Sequence, residues 1–421
     1  MLKDIFVSEK QMKEQIEYSE KVKSLLCVRY PDKKPKAFTH TYGCQGNVAD
    51  GERIRGMLAA MGYDLTNSPE NADLVLYNTC AIREHAENRV FGNIGALKKY
   101  KKQNPGMVIA VCGCMAQQSY VAQKIEKSFP YVDLVFGTHA LHRLPELLSK
   151  TLCRGKRIID ATESDGVIAE GLPVARDNNT DVFLPIMYGC DNFCSYCVVP
   201  LVRGRERSRR PEEIIKEAGD IIAGGARLIT LLGQNVNSYG KGSESDTDFS
   251  DLIRMLDALP GDFQFDFMTS HPKDCSKKLI DTLAGSKHYC RHLHLPVQCG
   301  SDRILKAMNR GYTRAQYLSL IELVKNRMPD ISLTTDIIVG FPSETYEEFC
   351  QTLSLVEKVR YDSMYTFVFS PRKGTKAYEM EDAVPKSEKM KWFSQLLKLQ
   401  EKIQKEKQKI KKNNPNGMLI N

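Results

Sequence analysis

The chain alternates between short apolar segments and longer amphipathic segments, and it does so in two separate regions. In the first region, strand candidates lie at 37–42, 72–77, 107–111 and 132–137, and a helical segment follows each of them. Parallel strands need long crossover connections, so strand–helix alternation of this kind predicts a parallel sheet with helices on both faces. We therefore expect an N-terminal, doubly wound α/β domain at residues 36–150.

The second alternation begins near residue 181. Six strand candidates lie at 182–189, 227–232, 263–269, 291–297, 332–340 and 362–369. Six βα units are too few for a closed eight-stranded barrel, so the pattern predicts a partial (β/α)6 barrel at 181–380. The remaining segments are expected to be a charged, partly helical extension at 1–35, a polar linker at 151–180 and a lysine-rich helical tail at 381–421.

The basic charge of the chain is concentrated near its end. The 421 residues have a formal net charge of +8, and residues 386–412 contain ten lysines against three glutamates. A solvated helix face and a contact with a nucleic-acid backbone both explain such a run. No apolar run is long enough to span a bilayer and the start of the chain lacks a signal-peptide pattern, so we expect a cytoplasmic protein without a membrane partner.

Three cysteines lie on one short segment, in the spacing C-x3-C-x2-C: Cys190, Cys194 and Cys197. Three thiolates on a tight loop can bind three irons of a 4Fe–4S cluster and leave the fourth iron open for another ligand. A zinc site or three unrelated thiols are the alternatives. Zinc sites usually use four ligands in paired C-x2-C units, and the chain has no second pair of that spacing.

Three further cysteines each follow a strand candidate of the first region: Cys44, Cys80 and Cys114. The carboxyl ends of parallel strands share one edge of the sheet, where ligand crevices form, so these thiols could meet in space. The alternative is that they are small core residues, because free cysteine is often buried. We interpret Cys112 as a packed core thiol, and the remaining cysteines lack ligand spacing.

Several motifs resemble those of one enzyme family. Residues 188–210 (YGCDNFCSYCVVPLVRGRERSRR), 42–45 (YGCQ), 78–84 (NTCAIRE) and 113–114 (GC) resemble the core of the radical-SAM methylthiotransferases, in the same order. The resemblance covers about residues 36–400. Within this family, residues 231–239 (LLGQNVNSY), 269–272 (TSHP) and 294–298 (HLPVQ) are most similar to the branch that modifies isopentenyl-adenosine in tRNA.

The resemblance implies two 4Fe–4S clusters. Cys190, Cys194 and Cys197 would hold the radical-generating cluster, whereas Cys44, Cys80 and Cys114 would hold an auxiliary cluster. S-adenosylmethionine would serve both as radical source and as methyl donor. The implied reaction adds a methylthio group to carbon 2 of isopentenyl-adenosine next to the anticodon. An unactivated aryl C–H bond offers no acidic proton, so no side chain is expected to act as a catalytic acid or base.

The implied partners are the tRNA anticodon stem-loop, an electron donor protein and a sulfur source, and we expect a monomer. The implied active site lies between the two cluster-bearing domains. Two enzyme alternatives are a methylthiotransferase for threonylcarbamoyl-adenosine in tRNA and one for an aspartate of a ribosomal protein. A non-enzymatic alternative is an iron–sulfur scaffold that binds RNA, which would produce no 5′-deoxyadenosine.

Five residues are expected to contact the S-adenosylmethionine. The family places the main chain of Tyr196 against the adenine of this cofactor. Gln234 and Asn235 end the second barrel strand, Gln298 ends the fourth, and Asp336 lies in the fifth. Barrel-type folds place functional groups at such strand ends, although turn formation is the alternative for these polar residues.

Two more features bear on RNA binding. The run Arg203, Arg205, Arg207, Arg209 and Arg210 follows the cysteine loop. It is expected to contact phosphate or a cofactor carboxylate, with surface salt bridges as the alternative. The resemblance also implies a small RNA-binding β-barrel, the TRAM domain, near the end of the chain. The residues after Ile410 are too few for a five-stranded barrel, so we expect that domain to be absent.

Overall fold

The structure is a computed structural model that describes residues 5–81, 84–162, 164–243 and 245–413. The chain divides into two compact units. The first unit contains the residues up to Asp191 together with Val198–Ile214. The second unit contains Asn192–Cys197 together with the residues from Ile215 onward. The short segment with the C-x3-C-x2-C spacing therefore contributes residues to both units.

The first unit is built on a six-stranded parallel sheet with the order β2-β1-β3-β4-β5-β6. Its elements in chain order are α1 (Glu9–Arg29), β1 (Lys36–Thr41), α2 (Gln45–Ala60), β2 (Asp64–Thr66), β3 (Leu74–Thr79), α3 (Glu84–Gln103), β4 (Val108–Gly113), α4 (Ser119–Ser128), β5 (Leu134–Phe136), α5 (Leu144–Arg154), β6 (Ile158–Asp160), β7 (Asp181–Pro185), β8 (Met187–Tyr188), α6 (Val199–Arg203) and β9 (Arg207–Ser208).

Both faces of this sheet are covered by apolar side chains. Every residue of β3 and of β4 is buried, as is typical of central parallel strands. Leu74 and Leu76 lie in one hydrophobic cluster, whereas Val75 and Tyr77 lie in the other, because successive side chains of a strand point to opposite faces. The strand order changes direction between β1 and β3, and ligand crevices of doubly wound sheets form at such a switch point.

Three parts of this unit differ from the sequence interpretation. The edge strand β2 was not predicted, and β6 lies within the segment predicted as a linker. The segment predicted as a charged extension forms α1, where Val22 and Leu26 are buried in the core. These elements are short or mostly polar, and they become ordered by packing against the sheet.

The second unit continues the βα pattern. Its elements, beginning with a helix that starts in the first unit, are α7 (Pro211–Ala223), β10 (Leu228–Leu232), α8 (Phe249–Asp257), β11 (Gln264–Phe267), α9 (Lys277–Gly285), β12 (His292–His294), α10 (Asp302–Ala307), α11 (Arg314–Arg327), β13 (Ser332–Val339), α12 (Tyr346–Val359), β14 (Ser363–Val368) and α13 (Lys386–Asn413). Strand β10 pairs in parallel with β11, and β13 pairs in parallel with β12 and β14. The prediction of an α/β fold with parallel sheets is confirmed.

The helices of the second unit begin at residues that suit a helix start. Thr313 and Thr345 cap α11 and α12, and each accepts a hydrogen bond from the backbone three residues later. Gln316 and Glu348 return a hydrogen bond to the capping residue, which completes a capping box. These capping boxes stabilise the starts of both helices, of which α12 directly follows the carboxyl end of β13 and α11 follows α10.

Residues 386–413 of the lysine-rich tail form the long helix α13, which confirms the predicted helix there, and residues 414–421 of the predicted tail lie outside the described residues. Trp392 is buried and stacks on Phe349 of α12, with ring centroids 5.5 Å apart. The side-chain amide of Gln400 donates a hydrogen bond to the carbonyl oxygen of Tyr361 at 3.2 Å. One face of α13 is therefore packed against the unit. Among the described residues, no helix combines the length and apolarity needed to cross a lipid bilayer.

Candidate functional site

The first candidate group of ligands lies at the carboxyl edge of the six-stranded sheet. Cys44 follows β1 and occupies the N-cap position of α2, Cys80 follows β3, and Cys114 follows β4. These three strands are neighbours in the sheet. The Cys44 and Cys80 side chains form a hydrogen bond, and the charge of Cys44 acts on Cys114. The structure thus brings the three thiols together beside the switch point of the sheet.

The electrostatic environment of this group favours a thiolate at its exposed member. The hydrogen bond with Cys80 and the Arg203 guanidinium together outweigh the effect of partial burial and lower the pKa of Cys44 to about 6. Burial raises the pKa of Cys114, and Arg203 opposes this shift. Iron is bound by thiolates, so a guanidinium beside these sulfurs suits a metal site that collects negative charge.

Arg203 is the central polar contact of this group. It is 7% exposed, and its Nε donates a hydrogen bond to the Cys114 sulfur at 3.1 Å. Its two terminal nitrogens bind an Asp50 carboxylate oxygen at 2.6 Å and Asn47 Oδ1 at 2.8 Å. Burial by itself would lower the pKa of Arg203, but the Asp50 carboxylate and the nearby thiols raise that pKa well above its usual value. Arg203 is therefore a permanent cation next to the sulfurs.

Asn47 fixes the two loops that carry Cys44 and Cys80. Its side chain is fully buried. Nδ2 donates hydrogen bonds to the carbonyl oxygen of Tyr42 at 3.0 Å and to that of Thr79 at 2.9 Å. Sequence reasoning missed both this role and the contact of Arg203 with Cys114. The only sequence feature that could have indicated a role for Asn47 at this site is its position, about one helical turn after Cys44.

The arginine run that follows the cysteine loop is largely internal. Arg203, Arg207 and Arg209 are each less than 10% exposed. Arg209 pairs with the Glu170 carboxylate at 2.6 Å, and Arg207 donates hydrogen bonds to backbone carbonyls. Arg203 and Arg209 form buried ion pairs and Arg207 donates to backbone carbonyls, so these three guanidinium groups are held inside the first unit and are not presented to a phosphate. Arg205 is exposed and lies 3.5 Å from Asp191.

Gly43 allows the loop before Cys44 to approach Cys80 closely. Its φ of +121° is a conformation that residues with a side chain rarely adopt. A Cβ atom at this position would lie 2.4 Å from the Cβ of Cys80 and 2.9 Å from its sulfur. The glycine is therefore required by both backbone conformation and space, and it presses the first loop against the second thiol.

The Gly43→Ala substitution should destabilise the first unit and displace Cys80. We expect the free energy of unfolding to fall by about 3 kcal/mol, since backbone strain and steric overlap add. Gly155→Ala is the matched control, because Gly155 has a φ of +60° but open space around its Cβ position. That control should cost only about 1 kcal/mol of strain. Urea unfolding of the cluster-free protein measures both values, and equal losses would contradict the proposed close contact.

The second candidate group of ligands is the loop with Cys190, Cys194 and Cys197, all partly exposed. Cys190 belongs to the first unit and the other two to the second. The backbone N–H of Cys197 donates a hydrogen bond to the carbonyl oxygen of Cys194 at 2.9 Å, which forms a tight turn. Between them, Ser195 Oγ donates to the carbonyl oxygen of Ala307 at 2.8 Å. This contact ties residues 192–197 to the end of α10.

Arg310 contacts this loop in a way that parallels the first group. It is 4% exposed, and one terminal nitrogen lies 3.3 Å from the Cys194 sulfur. The other donates a hydrogen bond to the carbonyl oxygen of Pro296 at 2.8 Å, and Nε donates to the Tyr312 hydroxyl at 3.1 Å. Within each unit, a buried guanidinium therefore donates to a cysteine sulfur. Such hydrogen bonds tune the potential of iron–sulfur clusters.

The structure places the five expected cofactor contacts at different depths. Tyr196 is half-buried, with its hydroxyl 3.5 Å from Arg310, and Gln234 is half-buried at the end of β10. Asn235 is buried and its Nδ2 donates to Asp274 at 2.7 Å. Gln298 has a φ of +70°, and its N–H donates to the carbonyl oxygen of Asp336 at 2.9 Å.

Four buried polar atoms near the ends of β10 and β11 have no hydrogen-bond partner in the described residues. They are Asn235 Oδ1, Asn237 Oδ1, Thr269 Oγ1 and His271 Nε2. Burial, with Arg310 and nearby lysines, lowers the pKa of His271 to about 2, so its ring is neutral. Unsatisfied buried polar atoms are costly and uncommon, so their grouping here fits a polar ligand that would complete them.

A chain of polar side chains across β11, β12 and β13 was also missed. His292 contacts Asp266 at 2.8 Å and Thr334 at 3.0 Å, and His294 contacts Thr334 at 3.0 Å. His294 also lies 3.5 Å from the partly exposed Asp336. The available signal was the spacing of the two histidines, because residues i and i+2 of a strand share a face. Asp336 is thus held by a neighbour on β12.

All thirteen cysteines lie in described segments and are free thiols, and the interpretation of Cys112 as a packed core residue is confirmed. In the part of the chain that the structure describes, no group of three His, Cys, Asp or Glu side chains is arranged around one metal ion. The ligands of a 4Fe–4S cluster each bind a different iron, so they are held farther apart than the ligands of a single ion. The finding therefore bears on mononuclear sites only.

Two family models match the chain in separate regions. Residues 36–137 match the uncharacterized protein family UPF0004. Residues 184–356 match the radical SAM superfamily. The first match covers the strands that carry Cys44, Cys80 and Cys114. The second covers the cysteine loop and the strands of the second unit through β13.

Curated relatives are similar over most of the chain. A tRNA-2-methylthio-N(6)-dimethylallyladenosine synthase of Caldicellulosiruptor saccharolyticus is 54% identical over 363 residues, which are 86% of this chain and 77% of that protein. The protein of the same name from Alkaliphilus oremlandii is 50% identical, over 93% of this chain and 83% of that protein. The one from Acetivibrio thermocellus is 48% identical, over 96% and 85% respectively.

Solved structures share the fold at low sequence identity. The radical S-adenosylmethionine methyltransferase TsrM from Kitasatospora setae has a TM-score of 0.60 at 14% identity, over 82% of this chain and 77% of that chain. The cobalamin-dependent radical enzyme OxsB has a TM-score of 0.56 at 15% identity, over 89% and 56% respectively. The prediction of a radical-SAM partial barrel is thereby confirmed. The chain belongs to the tRNA-2-methylthio-N(6)-dimethylallyladenosine synthases, a family of radical SAM transferases.

Proposed function

We propose that the two cysteine groups hold two 4Fe–4S clusters, with which the chain adds a methylthio group to carbon 2 of isopentenyl-adenosine next to the anticodon. The observation that carries this proposal is the meeting of Cys44, Cys80 and Cys114 at one sheet edge, in a chain that also contains the C-x3-C-x2-C loop. A single radical SAM cluster would need only the loop. The second thiol group supports a sulfur-inserting reaction.

Cys190, Cys194 and Cys197 would hold the cluster that binds S-adenosylmethionine, the cofactor of radical SAM enzymes. When both are bound, the cluster and S-adenosylmethionine together supply a radical able to remove hydrogen from an unactivated aryl carbon, which no protein acid or base can do. The chain's own residues position the loop. Ser195 ties it to α10, and Arg310 places a positive charge beside the sulfur of Cys194.

The polar atoms at the ends of β10 and β11 would bind the S-adenosylmethionine. Asn235, Asn237, Thr269 and His271 each have one buried polar atom without a partner in the described residues. Cofactor amino, carboxylate and hydroxyl groups can satisfy such atoms. Tyr196, Gln234, Gln298 and Asp336 are further proposed contacts, and Asp336 is the partly exposed end of the histidine-linked chain on β12 and β13.

Cys44, Cys80 and Cys114 would hold the auxiliary cluster, which takes part in delivering sulfur. Cys44 is exposed whereas Cys80 and Cys114 are buried, so a reactant would approach from the side of Cys44.

The methylthio group contains one sulfur, so the reaction also needs a sulfur source, and radical formation needs an electron donor protein. We also propose that the protein acts as a monomer in the cytoplasm. Thiols that are to bind iron must stay reduced, which fits a reducing compartment such as the cytoplasm.

The proposed substrate is the anticodon stem-loop of tRNA. A base in a single-stranded loop can be turned out of the stack, as a modification of its ring requires. The names of the relatives support isopentenyl-adenosine as the modified base. Threonylcarbamoyl-adenosine in tRNA and a ribosomal-protein aspartate are the alternative substrates of the wider family. Comparison of these three under identical conditions decides the substrate class.

The deciding experiment is an anaerobic assay of the reconstituted protein with reductant and S-adenosylmethionine. Isopentenylated tRNA, threonylcarbamoylated tRNA and ribosomal protein would be added separately, and products identified by mass spectrometry. We expect the methylthio mass increase on isopentenyl-adenosine alone. An increase on either other substrate would overturn the substrate assignment. An iron–sulfur RNA-binding scaffold would instead give no 5′-deoxyadenosine with any substrate.

A further inference from the structure

Helix α13 presents five lysines on one face. Lys391, Lys398, Lys402, Lys405 and Lys409 are separated by seven, four, three and four residues. At 3.6 residues per turn, these intervals place all five within about 40° of one line along the helix. Each of the five side chains is exposed. We call these residues the lysine stripe, and at 1.5 Å per residue it is about 27 Å long.

The buried face of the helix, about 120° round the helix axis from the lysine stripe, holds the stripe in a fixed position. Trp392, Leu396 and Ile403 are each at most 3% exposed. Lys407 forms an ion pair with Asp362 at 2.8 Å, and the Gln404 side chain donates a hydrogen bond to the carbonyl oxygen of the same residue. The stripe is therefore carried by an anchored helix, and a ligand that binds it does not have to order a mobile segment.

The charge of the lysine stripe is only partly neutralised by the protein. Lys391 pairs with Glu388 and Lys405 with Glu401, both at 2.9 Å. The third glutamate of the helix, Glu406, pairs with Arg360 at 2.7 Å. Among the described residues, Lys398, Lys402 and Lys409 form no ion pair. Glu406 also feels the charges of Lys402 and Lys409, but its own ion pair is with Arg360. The lysine stripe therefore carries a net positive charge and can bind an anionic partner of similar extent.

We propose that the lysine stripe binds the phosphate backbone of the tRNA substrate. The proposal rests on the proposed function, which makes tRNA a partner, and it adds the surface that holds the RNA outside the catalytic sites. Lysine is a compact charge on a flexible stem, so it binds phosphates without reading sequence. Lysines spaced along one helix face match a ligand that also carries its charges at regular intervals.

This location differs from the one suggested by the arginine run. Arg203, Arg207 and Arg209 are buried in the first unit, whereas the lysine stripe is exposed on α13 of the second unit. Contacts of this kind contribute sequence-independent affinity that falls with salt. The lysine stripe is thus expected to hold tRNAs of different sequence equally well, whereas base recognition takes place at the clusters.

The test is a triple variant, Lys398→Gln, Lys402→Gln and Lys409→Gln, in the full chain. Glutamine has nearly the helix propensity of lysine, so α13 should remain folded. The control replaces three exposed lysines of the second unit that lie outside α13: Lys216→Gln, Lys287→Gln and Lys358→Gln. Both variants lose the same charge. Affinity for isopentenylated tRNA would be measured between low and moderate salt, with anionic phospholipid vesicles as a second ligand.

For the stripe variant, we expect the slope of log affinity against log salt to fall by about 2 to 3, since each lost phosphate contact removes about 0.7 to 0.9. Affinity at about 0.1 M salt should fall on the order of 10- to 100-fold. The control variant should keep the slope of the wild type within about 1. An equal loss in both variants, or vesicle binding that depends on the stripe while tRNA binding does not, would overturn the proposal. Wild-type protein that binds no tRNA would instead contradict the proposed function itself.

Discussion

The Cys80→Ala variant should still cleave S-adenosylmethionine but should no longer form the methylthiolated nucleoside. We expect 5′-deoxyadenosine formation to stay near the wild-type rate, whereas the yield of modified tRNA falls by more than about 100-fold. Loss of a residue that only hydrogen-bonds to a metal ligand already lowers activity by about 10- to 100-fold, and Cys80 is proposed to be a ligand itself. The reason is that Cys80 belongs to the thiol group of the first unit, at the sheet edge, and not to the C-x3-C-x2-C loop. Both products are quantified from one anaerobic reaction.

Cys112→Ala is the matched control for this prediction. Cys112 lies two residues before Cys114, but it is 1% exposed and belongs to the hydrophobic core. The substitution removes one buried sulfur atom and should cost about 1 kcal/mol of stability without preventing tRNA modification. If Cys112→Ala abolished the modification while Cys80→Ala retained it, the assignment of the auxiliary ligands would be wrong.

The Arg203→Leu variant should lower the free energy of unfolding of the cluster-free protein by about 3 to 5 kcal/mol. Arg203 is the ion-pair partner of the buried Asp50 and donates to the fully buried Asn47. Removal of the guanidinium leaves a buried carboxylate without its counterion, which is more costly than the absence of the whole pair. Urea unfolding followed by circular dichroism measures the difference.

Two further variants separate this ion-pair effect from a general effect of arginine removal. The double variant Arg203→Leu with Asp50→Leu should recover part of the lost stability, since no uncompensated charge remains. Arg205→Leu should change stability by less than about 0.5 kcal/mol, because Arg205 is exposed and its contact with Asp191 is long. An Arg203→Leu variant as stable as the Arg205→Leu variant would show that the buried pair does not hold the site together.

The positions of the cysteines in the fold follow from sequence because they depend on local patterns. Strand–helix alternation predicts parallel strands, and parallel strands bring their carboxyl ends to one edge. Cys44, Cys80 and Cys114 each follow such a strand, so their proximity could be expected without coordinates. The strands of the second region were equally clear, because each is a short apolar run bounded by polar turns. The helical form of residues 386–413 also follows from local composition.

The polar contacts that position the cysteines could not be predicted in this way. The Arg203 contact with Cys114 joins residues 89 positions apart, and its contact with Asn47 joins residues 156 positions apart. Arg310 reaches Cys194 across 116 positions. No local periodicity encodes such pairs, and a basic run such as residues 203–210 looks like a surface patch until burial is known. The short strands β2 and β6 were missed because three-residue polar or mixed segments carry little strand signal.

The most direct test of the two-cluster assignment is the iron and acid-labile sulfide content of the anaerobically reconstituted chain. We expect about eight irons per wild-type chain, four for each cluster. The variant with Cys44, Cys80 and Cys114 all changed to alanine should keep about four, and so should the variant with Cys190, Cys194 and Cys197 changed to alanine. Wild-type protein with about four irons, or either triple variant with about eight, would contradict the assignment.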